Sequence, residues 1–174
     1  MEILGRMVNA SNSTLVVVDN EQQYIYKPIS GERPLWDFPE GTLALRERAA
    51  YVLSELGKWN VVPTTELREG PLGLGSFQTW VEAEVRDVDV VAPADIPAGW
   101  RDIFRGVDDS GSEVVLVHAD SPALRAIALF DAVANNADRK GGHLLTDDAG
   151  RIYAIDHGVT FNEEPKLRTC LLYT

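Results

Sequence analysis

The residue pattern predicts an α+β fold in two unlike lobes. The first half alternates β-rich runs with one amphipathic helix, the second holds a helix followed by a short hairpin, and a strongly acidic stretch lies between them. The expected division is residues 1–84 and residues 85–174, enough chain in all to bury a sizeable core.

Residues 2 to 28 read as β-structure, with Thr14 to Asp19 and Gln23 to Lys27 as two β-rich runs around the turn signal Asn20-Glu21. Gly31, Pro34, Pro39 and Gly41 mark a loop over 29–41, pinned by Trp36 and Phe38. Thr42 opens a helix with Leu45, Ala49, Val52, Leu53 and Leu56 on one face, and Gly57 stops it. Strands are expected again from Val61 to about Val85, broken by the turn from Gly70 to Gly75. Residues 86 to 112, acidic and containing proline, are expected to be irregular. Ser121-Pro122 is an N-cap and first-turn pair for a second helix with Leu124, Ile127, Ala128 and Ala134 along its apolar stripe. His143 to Thr146 and Arg151 to Ile155 then form a hairpin around Asp147 to Gly150.

Composition narrows the function classes. Lys and Arg number 16 against 27 Asp and Glu, a net charge of −11. Residues 82 to 120 alone hold ten acids against three arginines. Such a chain is repelled by phosphate backbones and anionic bilayers, which argues against nucleic acid as a partner and against stable membrane association. The N-terminal residues show no export signal, so a cytoplasmic location is expected. One cysteine, Cys170, excludes an internal disulfide and a multi-thiolate metal site. There is no Gly-x-x-x-x-Gly-Lys-Ser/Thr loop, no Gly-x-Ser-x-Gly elbow and no His-x-x-x-His pair, which sets aside P-loop enzymes, serine hydrolases of that type and zinc hydrolases.

The chemistry-bearing residues cluster near the second hairpin. An antiparallel hairpin brings the residues before its first strand close to those after its second, so Asp138, His143 and Asp156 are expected to converge. Phosphoryl transfer needs such a set, one carboxylate to orient the attacking hydroxyl and others to hold a metal. Asp-Arg and Asp-Gly are also ordinary turn pairs, and only both together after a helix favour the chemical reading. Lys27 closes an apolar strand, and Glu47, early in the following helix, is the preferred partner to hold it beside bound phosphates. Glu55 competes for that role but sits in the last turn, where a carboxylate opposes the helix dipole. The polar link from Asn9 to Thr14 could cap phosphates with its amides and hydroxyls, or be no more than a hairpin turn. His118, within Val114 to His118 and without a partner pattern, reads as a packed or surface histidine.

Asp138, His143 five residues on, and the hairpin ending in Asp156-His-Gly158 together resemble the phosphatidylinositol 3-/4-kinase-like branch of the protein-kinase-like fold, particularly its small actinobacterial members, with the HipA-type kinases sharing the layout. The resemblance spans about residues 3 to 169. It implies that Asp138 orients the acceptor hydroxyl and that His143 and Asp156 bind a divalent metal. It also implies that Lys27, paired with Glu47, contacts the nucleotide phosphates, with Ser11, Asn12, Ser13 and Thr14 in place of a glycine-rich loop. Trp80, Val81 and Glu82 would read the adenine of ATP through their backbone. His143 stands where the family has asparagine, and an imidazole favours Mn²⁺ or softer ions over Mg²⁺.

The function expected from these residues is ATP-dependent phosphate transfer to a protein hydroxyl or a small polar acceptor. A non-catalytic nucleotide-binding module and AMP transfer by the same site are the alternatives. Only 16 residues follow Gly158, so the second lobe is expected to be truncated and the helix over 121–135 left partly uncovered, which would favour self-association.

Overall fold

The computed structural model describes residues 1–7 and 12–171. Strands β1 (Glu2–Arg6), β2 (Leu15–Asp19), β3 (Gln22–Pro28), β4 (Thr65–Gly70) and β5 (Gly73–Thr79) form an antiparallel sheet in the order β1-β2-β3-β5-β4. Asn20 and Glu21, at φ 49° and 67°, make the left-handed two-residue turn whose twist suits a hairpin. Leu15, Val17, Tyr26 and Phe77 pack together on one face, with the Tyr26 and Phe77 rings stacked at 4.3 Å. Beside them β5 approaches β3 so closely that a Cβ on Gly75 would lie 2.5 Å from the Lys27 carbonyl oxygen. Only glycine admits that approach.

Helix α1 (Leu43–Leu56) starts after Thr42 and ends at Gly57, as the pattern predicts, but it is rotated from the expected face. Leu43, Ala44, Glu47, Ala50 and Ser54 are buried, whereas Leu45 and Leu56 are exposed. Two polar side chains occupy inward positions because each has partners there, which removes the cost of burial. Ser54 accepts the N–H groups of Val61 and Val62 at 2.9 and 3.3 Å, and Glu47 meets a lysine. Thr42 makes no side-chain cap; the Glu32 carboxylate instead accepts the N–H groups of Leu43 and Ala44, at 3.2 and 2.8 Å. An anion is well placed there against the helix dipole.

The acidic stretch is not irregular. β6 (Val88–Val91), β7 (Trp100–Val107) and β8 (Glu113–Ala119) form a second antiparallel sheet in the order β6-β8-β7. Val88, Val115 and Val117 face inward, while Asp89, Asp102 and Glu113 are exposed, so the acids mask an alternating strand pattern. The Asp108 carboxylate closes the β7–β8 turn by accepting the N–H groups of Ser110 and Ser112. His118 on β8 is buried, as expected of a packed histidine.

Helix α2 (Pro122–Val133) is capped by Ser121, whose hydroxyl accepts the Leu124 N–H at 3.2 Å. The hairpin β9 (Leu144–Thr146) and β10 (Ile152–Ala154) comes next. Leu124, Ile127 and Phe130 of α2 share one core with Leu144, Ile152, Ala154, Ala50 of α1, and Val61 and Val62. That shared core docks α1 onto the second half of the chain. Leu129 and Val133 of α2 are 58% and 53% exposed. Among the described residues, no helix is long and apolar enough to cross a membrane.

Candidate functional site

Four segments meet around Lys27. The lysine, at the end of β3, donates to Glu47 Oε1 and to Asp156 Oδ1, the second at 2.9 Å. Glu47 Oε2 accepts the His157 N–H at 2.9 Å, so one carboxylate joins β3, α1 and the turn after β10. The other oxygen of Asp156, Oδ2, lies 3.3 Å from His143 Nε2 in the short 3-10 turn Gly141–His143 that leads into β9. Asp156 sits at φ 60°, a left-handed conformation that a short polar side chain tolerates. Its side chain is 51% exposed, whereas Glu47 is 3% exposed.

The charges are set by this packing. Burial alone would depress the Lys27 ammonium, but the Glu47 and Asp156 carboxylates override it and hold the group charged well above its ordinary range. Lys27 in turn holds the Asp156 carboxyl far below the usual carboxylate range against the opposing effect of burial. Burial lowers His143 despite the attraction of Asp156, and its Nδ1 is buried without a hydrogen-bond partner among the described residues. His157 is lowered further, by complete burial and then by Arg139. Both imidazoles are therefore neutral near pH 7. The unfolded chain takes up protons near pH 6.5 that the folded chain refuses, so stability falls as pH drops below that value. Melting temperature measured from pH 7.5 to 5 is expected to decline in the native protein and to decline less in His157→Gln. Equal slopes would contradict this.

Beneath the site lies a buried network that sequence reasoning missed. The fully buried side chains of Arg139 and Asp131 pair through two hydrogen bonds of 2.8 Å. Arg139 also donates to the Ile155 carbonyl and to His157 Nε2, both at 2.7 Å. Asn136 donates to Asp131 at 2.9 Å and accepts the Asp138 N–H at 3.0 Å. The loop carrying Asp138 is thus tied to the strand end that carries Asp156. One signal was available: Asp131 falls on the same helical stripe as Leu124 and Ile127, and a carboxylate there demands a buried cation.

The other expected residues are more scattered. Asp138 is partly exposed and pairs with Lys140 at 2.7 Å; it is near enough to His143 to favour the protonated imidazole, as a minor influence. Ser11 lies outside the described residues. Asn12 accepts the Arg33 N–H at 2.8 Å, the Ser13 N–H donates to the Gly31 carbonyl at 3.1 Å, and Thr14 is buried, so this link leans on the turn after β3. The Trp80 N–H donates to the Gln23 carbonyl and its indole to Glu82. Trp80, Val81 and Glu82 line an open cleft of about 980 Å³. Lys27, Glu47, Asp138, His143 and Asp156 do not line it. Among the described residues, no group of three or more His, Cys, Asp or Glu side chains is arranged to hold a metal on its own.

Fold and site together define an α+β protein with a lysine held between a helix glutamate and a turn aspartate. No protein-family model matches the chain. Protein Rv2133c of Mycobacterium tuberculosis (strain ATCC 25618 / H37Rv) is 45% identical over 186 aligned residues, which cover 98% of this chain and 67% of the relative. The chain belongs to the same family as that protein and spans about two thirds of its length.

Proposed function

We propose that the chain is an ATP-dependent phosphotransferase of the phosphatidylinositol 3-/4-kinase-like type, with a two-lobed kinase-like build divided near residue 84. The observation that carries this reading is the Lys27–Glu47–Asp156 chain of contacts, which links a strand, a helix and a post-hairpin turn through one ammonium group. A lysine so held offers its charge to nucleotide phosphates without having to be ordered on binding. Asp138 would accept a hydrogen bond from the acceptor hydroxyl and orient it. Its exposed pair with Lys140 is worth at most about 1 kcal/mol and opens readily.

The half-exposed Asp156 carboxylate and the neutral imidazole of His143 fit a divalent ion, Mg²⁺ or Mn²⁺, that arrives with the nucleotide. Two protein ligands are a normal complement when phosphate oxygens and water fill the other positions. Such an ion supplies neutralisation of phosphate charge. The acceptor is a protein hydroxyl or small polar molecule in the cytoplasm, since a chain at −11 is poorly matched to an anionic headgroup. The exposed Leu129 and Val133 support self-association through α2.

A second reading, a nucleotide-binding module without turnover, draws on the fact that Lys27 and His143 already occupy both oxygens of Asp156. ATP titration with Mg²⁺ and with Mn²⁺, combined with turnover assays, separates the two. The expected result is that Asp138→Ala keeps ATP affinity and loses turnover by roughly 10²-fold or more. Binding without turnover in the native protein favours the module, and no ATP binding in either metal rejects both. Mass spectrometry of a modified target distinguishes added phosphate from added AMP.

A further inference from the structure

We propose that the open cleft beside Trp80 to Glu82 is a docking site for a segment of a partner protein that carries Arg or Lys next to apolar side chains. The cleft forms where the last turns of α1, the connector to β4, the residues after β5, the start of α2 and the β9–β10 hairpin come together. Its volume of about 980 Å³ lies at the upper end for ligand sites.

Three features of the lining define the occupant. Tyr51, Trp59, Trp80 and Tyr153 are half-buried aromatic residues of the lining, a residue type that attracts cations, and Arg48 already lies 5.1 Å from the Tyr51 ring centroid. The Arg151 guanidinium lies 4.7 Å from the Tyr153 ring centroid, so one such contact is already made within the cleft. Charge points the same way: Glu55, Glu82 and Asp147 line the cleft against the single cation Arg151, which is tethered to the Asn60 carbonyl at 2.7 Å. The Glu55 carboxylate has no hydrogen bond or ion pair among the described residues, and it is the group best placed to receive an incoming cation. Between the charges, the exposed Ala123 and half-buried Ala126 supply apolar surface, and the lining also includes the buried core residues Val61, Val62 and Ile152. A basic and apolar peptide satisfies both kinds of surface, whereas an acidic one meets like charge in the cleft and over the whole chain.

This site shares no side chain with the Lys27 cluster, but its lining includes Trp80, Val81 and Glu82, the residues expected to read the adenine, so ATP is added as a competitor. Peptide binding that ATP leaves unchanged supports a separate docking site, and displacement of the peptide by ATP overturns it. The probe is a fluorescein-labelled peptide alternating Arg with Leu, compared by polarisation with a peptide in which Glu replaces each Arg. The arginine peptide is expected to bind and the glutamate peptide not to. Glu55→Lys and Ala126→Arg should each raise Kd roughly tenfold, the effect of about 1.4 kcal/mol. Glu163→Lys, an equal charge change outside the cleft, should leave Kd within about twofold. The proposal is overturned by absence of binding, by binding that survives both cleft substitutions, or by equal weakening in Glu163→Lys. Spermine competing as well as the peptide at equal charge would instead make this a small-amine site and also overturn it. Glu55 is exposed, so its variant keeps the test valid if Ala126→Arg fails to fold.

Discussion

Asp131→Ala is expected to cost about 3–5 kcal/mol of folding stability, because it leaves the Arg139 guanidinium charged and uncompensated in the interior. The remaining partners of Arg139, the Ile155 carbonyl and His157 Nε2, are neutral and do not replace a bidentate carboxylate. Urea unfolding monitored by circular dichroism measures the loss as a lower midpoint at unchanged slope. Asp131→Leu combined with Arg139→Met should recover only part of the stability, since it removes the unpaired charge but leaves the Ile155 carbonyl, His157 Nε2 and the Asn136 amide without these partners. The double variant would still lack the anchor that fixes the 135–140 loop against the end of β10. Stability restored together with full activity would show that the network holds the fold and leaves the site alone; a single-variant loss under about 1 kcal/mol would show that Arg139 finds another anion.

Lys27→Met is expected to abolish measurable turnover and weaken ATP binding, and it tests the site most directly. It removes the charge proposed to meet the phosphates and leaves the buried Glu47 carboxylate with only the His157 N–H among the described residues. Breaking a buried ion pair by removing one partner costs about 3–5 kcal/mol. Acid titration provides a second readout. The folded-state lowering of Asp156 contributes stability that is present above about pH 4 and lost as pH falls below it, and Lys27 is the first cause of that lowering. The stability gap between the native protein and Lys27→Met should therefore shrink as pH is taken below about 4. A gap that stays constant through that range would mean that Lys27 does not control Asp156. Lys27→Arg should restore part of the stability and little of the activity, because a planar fork cannot donate to Glu47 and Asp156 in the same geometry as an ammonium group.

Much of the architecture was legible in local patterns. Asn20-Glu21, the end of α1 at Gly57, the Ser121-Pro122 start of α2 and the Asp147 to Gly150 turn are decided by the conformational preferences of a few adjacent residues, whereas the start of α1 after Thr42, though expected, is capped from a distance by Glu32. The pairing of Lys27 with Glu47 was also readable, since a lysine ending a strand that is to meet phosphates needs a helix glutamate to hold it, and Glu55 sits in the last turn. The second sheet was not legible, because acids on its solvent face hid the alternation that Val88, Val115 and Val117 carry. The face of α1 was misplaced for the opposite reason: Glu47 and Ser54 count as polar in a pattern, yet they face inward because distant groups satisfy them.

The chain by itself determined the limits of both helices and of the first and last hairpins, and which acidic and basic residues could meet, because turn chemistry and periodicity act over a few residues. Only the tertiary structure decided that Arg139 lies beneath the site, that one carboxylate of α1 reaches both a strand lysine and a post-hairpin amide, and that an acidic aromatic cleft opens beside Trp80. Those features depend on the desolvation and mutual satisfaction of charges far apart in sequence. Their energies exist only once the shared core of α1, α2 and the β9–β10 hairpin has closed.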